Sequence, residues 1–295
     1  MSSAEIAASI LKQLSEEEVR ALALLGSQLE RFEIYPSDLL EHQAEWSQQY
    51  LKEVMLSLQQ KDLVSTTKVP YDGYGLRGAG LDALALITLA SSDVVTHMGR
   101  RIGVGKESDL FEGLGPDGEK VSLKFFRIGR TSFTDVLRKR RYVPSGRGAS
   151  WFVRSITAAG REFQALAYLH ARGVAVPGPI ARERHVVVME YLDGEIVAEA
   201  KEVLNPDLVL DAALEIVRAA YREGYVNGDL STYNLFVTRD ERVLIIDWPQ
   251  WTPKDQKGST ERLKEDLTNL TTWFERKYGI RREVETMLRS VVDPS

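Results

Sequence analysis

Apolar positions recur at helical spacing along the first ninety residues, then change to short strand-like runs from about Val94 onward. Ile6, Ile10, Leu11 and Leu14, followed by Val19, Leu22, Leu25 and Leu29, predict helix over residues 4–31, with a capping signal inside it at Ser15 and Glu18. Pro36-Ser37-Asp38 opens a short second helix. Glu45–Gln60 reads as a third, with Trp46, Tyr50, Val54, Met55 and Leu58 on one face. Leu63-Val64, the turn signal Asp72-Gly73 and Tyr74 predict a small hairpin, and Gly80–Ser92 returns to helix. Helices followed by such a wing describe a winged helix-turn-helix domain over residues 1–92. A domain of that kind docks on nucleic acid or on protein, and its third helix is not conspicuously basic: Lys52 and Lys61 are offset by Glu45 and Glu53.

The second pattern is richer in strands. Met98–Gly113 reads as strand, glycine turn at Gly103 and Gly105, and strand; Asp117-Gly118 makes the next turn, and Val121–Phe126 the next strand. A helix over Thr157–Leu169 follows, then strands over Val174–Ile180 and His185–Leu192, then a helix begun by Asn205-Pro206 that ends near Arg222. Leu235-Phe236-Val237 and Val243-Leu244-Ile245-Ile246 flank the turn-like Thr238–Arg242 as a hairpin, and Ser259–Tyr278 and Arg281–Val292 are helical. The fold class is therefore α+β.

Chemistry concentrates around that hairpin. Asp229 lies on the loop leading in, Asn234 at the mouth of the first strand and Asp247 at the end of the second. Each alone reads as a turn or capping residue. Together they have the layout of a phosphotransfer site: one carboxylate to orient or deprotonate a hydroxyl, and an amide oxygen with a second carboxylate to hold a hard cation such as Mg2+. Upstream, Lys124 is the one cation in an apolar strand. It is either an edge charge facing water or the lysine that holds α/β-phosphates with a helix glutamate, for which Glu162 is the candidate. The turn Gly103-Val104-Gly105-Lys106-Glu107-Ser108 lets backbone N–H groups approach phosphates, although it is neither Gly-x-Gly-x-x-Gly nor a Walker sequence. Backbone groups of the segment Glu190–Leu192 are placed to meet an adenine edge. Between Lys124 and Glu162, Arg127–Ser155 is rich in Arg, Lys, Ser and Gly and reads as a basic insertion suited to RNA or phosphate.

Composition narrows the setting. Hydrophobic residues make up 43% of 295 and charged residues 27%, as in a globular protein of one large or two ordinary domains. No run of about 18 apolar residues predicts a transmembrane helix. Met1-Ser2-Ser3-Ala4-Glu5 lacks the features of a signal peptide, so a cytoplasmic location and no membrane association are expected. The absence of cysteine and the scatter of four histidines exclude disulfides and weigh against a Cys/His zinc site. A net charge of −5 argues against wholesale coating of nucleic acid but permits a local basic patch.

Taken in order, these pieces resemble the RIO family of atypical protein kinases, in particular its Rio2 subfamily in the short archaeal form, along the whole chain. The residues that carry the likeness are Gly103–Asp109, Val121-Ser122-Leu123-Lys124, Arg130-Thr131-Ser132-Phe133, Arg161–Leu166, Val188-Met189-Glu190-Tyr191-Leu192, Gly228–Asn234 and Ile246–Gln250. The resemblance implies a small bilobal kinase-like domain over 93–295, with an N-lobe of about 93–190, a hinge at 190–193 and a C-lobe of 194–295. It implies ATP and Mg2+ (with Mn2+ as a substitute) bound by Gly103–Ser108, Lys124, Glu162, Met189, Glu190, Leu192, Asn234 and Asp247, with Asp229, Lys124 and Asp247 catalytic. The metal-binding aspartate of the family can itself accept the phosphoryl group, here Asp247. Implied activities are serine autophosphorylation and ATP hydrolysis coupled to late maturation of the small ribosomal subunit. The implied partner is the precursor particle or its RNA, met by the winged helix and the 127–155 segment; the oligomeric state is left open. Two departures stand out: Asn227 replaces the usual His before Gly-Asp, where it should support the loop, and Trp248 replaces Phe. A small-molecule phosphotransferase of the aminoglycoside or choline type shares the Asp…Asn…Asp spacing, but the 48 residues after Asp247 leave little room for its substrate pocket. A non-catalytic docking module is the other alternative.

Overall fold

In the computed structural model the described residues are 1–69, 71–129 and 151–293. They form two compact units, Met1–Thr157 with Ala181–Val188, and Ala158–Ile180 with Met189–Ser295.

The first unit begins with helix α1 (Ser3–Ile10), a 3₁₀ turn at Leu11–Gln13 and helix α2 (Glu16–Ser27). The run predicted as helix over 4–31 is thus broken at the capping signal: Ser15 and Glu18 exchange side-chain-to-backbone hydrogen bonds of 3.2 and 2.9 Å, which satisfies two N–H groups that a continuous helix would have bonded itself. Strand β1 (Tyr35–Pro36) leads into α3 (Ser37–Ala44), and Ser47 caps α4 (Gln48–Gln60). On α4 the buried stripe is Leu51, Val54, Met55 and Leu58; Tyr50, assigned to that face from the sequence, is 39% exposed. The cap at Ser47 starts the helix two to three residues later than predicted, and the i, i+3, i+4, i+7 series then runs through Leu51. Strands β2 (Val64–Thr67) and β3 (Gly73–Leu76) make the wing, in a sheet ordered β1-β3-β2. Gly73 pairs with Thr67, so Asp72-Gly73 closes a five-residue loop instead of forming a two-residue turn.

Helix α5 (Gly78–Ser91) is buried on nearly every side, with Asp82 among its fully covered residues. Beyond it, β4 (His97–Val104), β5 (Ser108–Leu114) and β6 (Lys120–Phe126) form an antiparallel meander. These strands belong to a five-stranded sheet ordered β4-β5-β6-β8-β7, where β7 is Pro179–Glu183 and β8 Val186–Glu190. One apolar cluster runs from the helices through the sheet, from Leu22, Leu25 and Leu84 to Phe111, Phe125 and Val188.

A buried charge cluster joins α5 to this sheet. Arg127 donates to both oxygens of Asp82 at 2.8 Å and to Asp109 at 3.3 Å, and His185 Nε2 meets Asp82 at 2.7 Å. Arg127 is 2% exposed, so it does not belong to the basic surface segment in which the sequence placed it. The planar guanidinium suits a bidentate carboxylate where a surface cation would not. Ser155, at the other end of that segment, is also buried and accepts the Ile128 N–H at 2.9 Å. Arg154 lies in the described helix at the end of the segment; the other basic residues, including Arg138–Arg141 and the Arg130–Phe133 portion of the family likeness, lie outside the described residues.

The second unit holds most of helix α6 (Trp151–His170), strand β9 (Gly194–Ile196) and α7 (Pro206–Arg222), which starts at Asn205-Pro206 as predicted. Then come β10 (Tyr225–Val226), the hairpin β11 (Leu235–Thr238) with β12 (Val243–Ile245), β13 (Thr252–Pro253), α8 (Ser259–Tyr278) and α9 (Val284–Val292). Sheets β12-β11-β9 and β10-β13 complete it. No helix among the described residues is long and apolar enough to cross a membrane.

Candidate functional site

The hairpin fixes two of the three polar residues around which the chemistry is organised. Leu235 pairs with Ile245, and one residue further out the Ile246 N–H bonds the Asn234 carbonyl at 2.9 Å. Asn234 and Asp247 therefore leave adjacent strands at the same end. Asn234 is nearly buried and its Oδ1 accepts from Ser231 Oγ at 2.9 Å. The side-chain donors presented there, an amide oxygen and a carboxylate, are hard oxygens that fit a Mg2+-class cation.

Asp229 sits on a loop that is tied at every turn. Gly228 takes φ +78°, a conformation that costs a side-chain-bearing residue strain. The N–H groups of Gly228 and Leu230 both donate to the Asp266 carboxylate at 2.8 Å, and Asn269 Nδ2 donates to the Leu230 carbonyl at 3.3 Å. Asn227, in place of the family's usual His, accepts the Asp229 N–H at 3.2 Å and donates to the Asp247 carbonyl at 2.7 Å. It thus links the backbones at Asp229 and Asp247, the loop-supporting role expected of it. Gln250 Nε2 donates to Asp229 Oδ2 at 3.2 Å.

Two carboxyls in this frame titrate high. Partial burial, and secondarily the Asp247 charge, raise Asp229 above its ordinary value. Burial pushes Asp266 up to about 6 against the lowering effect of its two backbone hydrogen bonds. Asp266 was missed from the sequence. Its signal was a lone acid on the apolar face of α8, three residues after Leu263 and next to Leu267.

Glu162 is fully buried in α6, and its Oε2 accepts the Trp248 N–H at 3.3 Å. Trp248 fills the place of the family's Phe and donates Nε1–H to the Ile245 carbonyl at 3.0 Å, so the larger ring is buried with its polar group satisfied. Met189 is buried at the end of β8, while Glu190 exchanges two bonds with Gly178: its N–H to the Gly178 carbonyl (2.8 Å) and its Oε1 from the Gly178 N–H (2.9 Å). The Glu190 carbonyl and Leu192, just outside the strand, are what this segment offers a base edge.

In the first unit, Lys124 is 8% exposed in β6, opposite Leu110 of β5, with Nζ 5.0 Å from the centre of the Phe126 ring. That burial rules out the edge-charge reading. Gly103 and Val104 belong to β4, so the turn proper is Gly105-Lys106-Glu107, closed by Gly105 N–H to the Ser108 carbonyl at 2.8 Å. A Cβ added at Gly103 or Gly105 would come no nearer than 3.4 Å to any neighbour. The fold itself does not require glycine at either position, and a ligand drawn close to the backbone would.

Residues 109–287 match the family model described as the RIO domain, and residues 11–92 the one described as the Rio2 N-terminal domain. The chain is 36% identical over 218 residues to a RIO-type serine/threonine-protein kinase Rio2 of Methanocaldococcus jannaschii, covering 72% of this chain and 80% of that one. It is 32% identical over 276 residues to a serine/threonine-protein kinase RIO2 of Caenorhabditis elegans, covering 93% of this chain and 52% of the relative, and so spans about half that protein's length. Among solved structures, a Rio2 kinase from Chaetomium thermophilum in an ADP/Mg2+-phosphoaspartate complex is similar with a TM-score of 0.82 and 28% identity, over 97% of this chain and 89% of that one.

Proposed function

Because this chain belongs to the RIO family, in its Rio2 branch, we propose that it is an ATP- and Mg2+-dependent serine/threonine kinase and ATPase. The observation that carries the reading is the shared frame of Asn227 and Asp266, which holds Asp229 within electrostatic reach of Asp247 at the mouth of the hairpin that bears Asn234.

In this reading Lys124, oriented by Glu162, neutralises the α/β-phosphates of ATP. The backbone of Gly103–Gly105, with Val104, Lys106, Glu107 and Ser108 around it, cradles the β/γ-phosphates. Met189, Glu190 and Leu192 receive the adenine. Asn234 and Asp247 hold Mg2+, which supplies neutralisation of phosphate charge; Mn2+ substitutes. Asp229 orients the attacking hydroxyl or water and takes its proton, a task that a raised pKa favours because the base then binds the proton more readily. Phosphoryl transfer depends on positioning and charge more than on covalent help, and these groups supply both. The Chaetomium relative was crystallised as a phosphoaspartate complex; by analogy Asp247 accepts the γ-phosphoryl here, with a serine as a second acceptor in autophosphorylation.

The same reading places the protein in the cytoplasm, acting on precursors of the small ribosomal subunit through the winged helix and the basic segment after Arg127. Exposed Val69 and Tyr71 on the wing support a docking role for that domain. The test is incubation with γ-labelled ATP and Mg2+, with and without precursor particles, scoring free phosphate and label on protein. Faster phosphate release with particles is expected. Label moving to an added aminoglycoside or to choline would favour a small-molecule phosphotransferase instead.

A further inference from the structure

Helix α6 does more than carry Glu162. Arg161, its neighbour, donates through Nε to the Pro249 carbonyl at 2.9 Å and through Nη2 to the Trp251 carbonyl. Trp251 returns the bond, its Nε1–H to the Arg161 carbonyl at 3.1 Å, and the guanidinium lies 4.9 Å from the centre of the Trp251 ring. With the Trp248 N–H on Glu162, three of the four residues that follow Asp247 are fastened to a single turn of α6. Asn227 holds the Asp247 carbonyl from the other side. Trp251 also stacks on Tyr225 at 4.5 Å, and Tyr225 on Tyr168 of the same helix at 5.3 Å, with Arg172 over the Tyr168 ring. Trp251 precedes β13, whose partner β10 leads directly into Asn227. The strand pair therefore joins the end of the Asp247 segment to the start of the Asp229 loop.

Nothing in the phosphotransfer reading uses Arg161 or Trp251. Their hydrogen bonds go to backbone carbonyls, so what they fix is the path of the chain and hence the direction in which Asp247 leaves it. We infer that Arg161 and Trp251 form a reciprocal latch on helix α6 that sets the Asp247 carboxylate for the divalent cation; Arg161 is a positioning residue for metal binding and not for nucleotide binding as such. The inference rests on Asp247 being a metal ligand. Two carbonyls reached from one guanidinium require its fork: lysine keeps the charge but cannot span both with fixed geometry. Partners one step removed from a metal ligand change metal affinity by about tenfold to a hundredfold.

The experiment uses the full chain with ADP and Mn2+, reading Mn2+ affinity by electron paramagnetic resonance, ADP affinity in EDTA, and melting temperature. Arg161→Lys is expected to weaken Mn2+ binding about tenfold or more while metal-free ADP affinity stays at the wild-type value. Trp251→Phe keeps the ring stack, loses the Nε1–H bond and should fall between Arg161→Lys and wild type. Arg161→Lys with wild-type Mn2+ affinity, or with Mn2+ and metal-free ADP weakened in equal proportion, overturns the latch. Asp247→Asn is the control: if it leaves Mn2+ binding intact, the metal-ligand reading falls and takes the latch with it. If it abolishes Mn2+ binding while Arg161→Lys binds Mn2+ as tightly as wild type, the latch alone falls.

Discussion

In the proposed reading Asp229 is the base and Asp247 a metal ligand. Asp229 has its carboxyl raised by partial burial and by its neighbour, which suits a group that must take a proton. Removing the neighbour's charge should let the Asp229 pKa fall toward the ordinary value, so in Asp247→Asn the carboxyl resonance of Asp229, followed by carbon NMR, is expected to titrate at lower pH than in wild type. What was legible from spacing was the placement of Asn234 and Asp247 at one end of the hairpin, because short apolar runs on either side of a turn fix that register. Asp266 was not legible: an acid in a helix is ordinarily a solvent-facing residue, and only the packed loop shows that it is 2% exposed and holding two N–H groups. Its carboxyl, pushed up to about 6, binds more protons folded than unfolded between the ordinary 3.8 and 6. The sign follows: Asp266 destabilises the charged native state, so stability falls as pH rises through that window. Asp266→Asn is expected to remove that slope, on the order of 2–3 kcal/mol across the window, in urea unfolding measured at pH 4 and pH 6.5.

Elements were read well where periodicity met a cap or a turn. The hairpin β11–β12, the helix begun by Asn205-Pro206 and the Ser15 capping box all formed as the residues predicted. Misreadings came where tertiary contacts decide. Tyr50 fits a helical stripe by spacing, but the capped start of α4 passes the buried position to Leu51. Arg127 opens a basic run, yet its guanidinium is drawn inward by Asp82 of α5, 45 positions earlier in the chain, which no local pattern reveals. Here the energetics are unforgiving. Asp82 is fully buried, held down to about 2 by Arg127 and His185 against its desolvation. His185 is kept below its ordinary value by burial, and its Nδ1 has no partner, as fits a neutral ring that donates from Nε2. Arg127→Met removes the cation facing two buried carboxylates and should cost about 3–5 kcal/mol in denaturant unfolding. Any RNA affinity measured for wild type should be kept by the variant that remains folded, since Arg127 is not at the surface. Acid should weaken the cluster in two stages: His185 costs stability as pH falls below 6.5, where the unfolded histidine gains its proton first, and Asp82 as pH falls from 3.8 through about 2.

At the scale of the whole molecule, α5 and the strands after it share one apolar cluster and one charge cluster, and the helical first ninety residues and the β4–β6 meander belong to one compact unit. That unit carries Lys124 and the glycine turn; the other carries Asp229, Asn234 and Asp247 on a frame that α6, α8 and two short sheets hold together. In the proposed reading, the phosphate-binding groups belong to the first unit and the metal ligands and base to the second. The most direct test is a rapid-quench single turnover of γ-labelled ATP with Mg2+, comparing wild type with Asp229→Asn, Asp247→Asn and Lys124→Met. Wild type is expected to release or transfer the γ-phosphoryl within the turnover, with each variant slower by about a hundredfold or more and Asp247→Asn carrying no hydroxylamine-labile acyl phosphate. A wild-type protein that binds ATP and transfers nothing, or an Asp229→Asn variant as fast as wild type, would contradict the account.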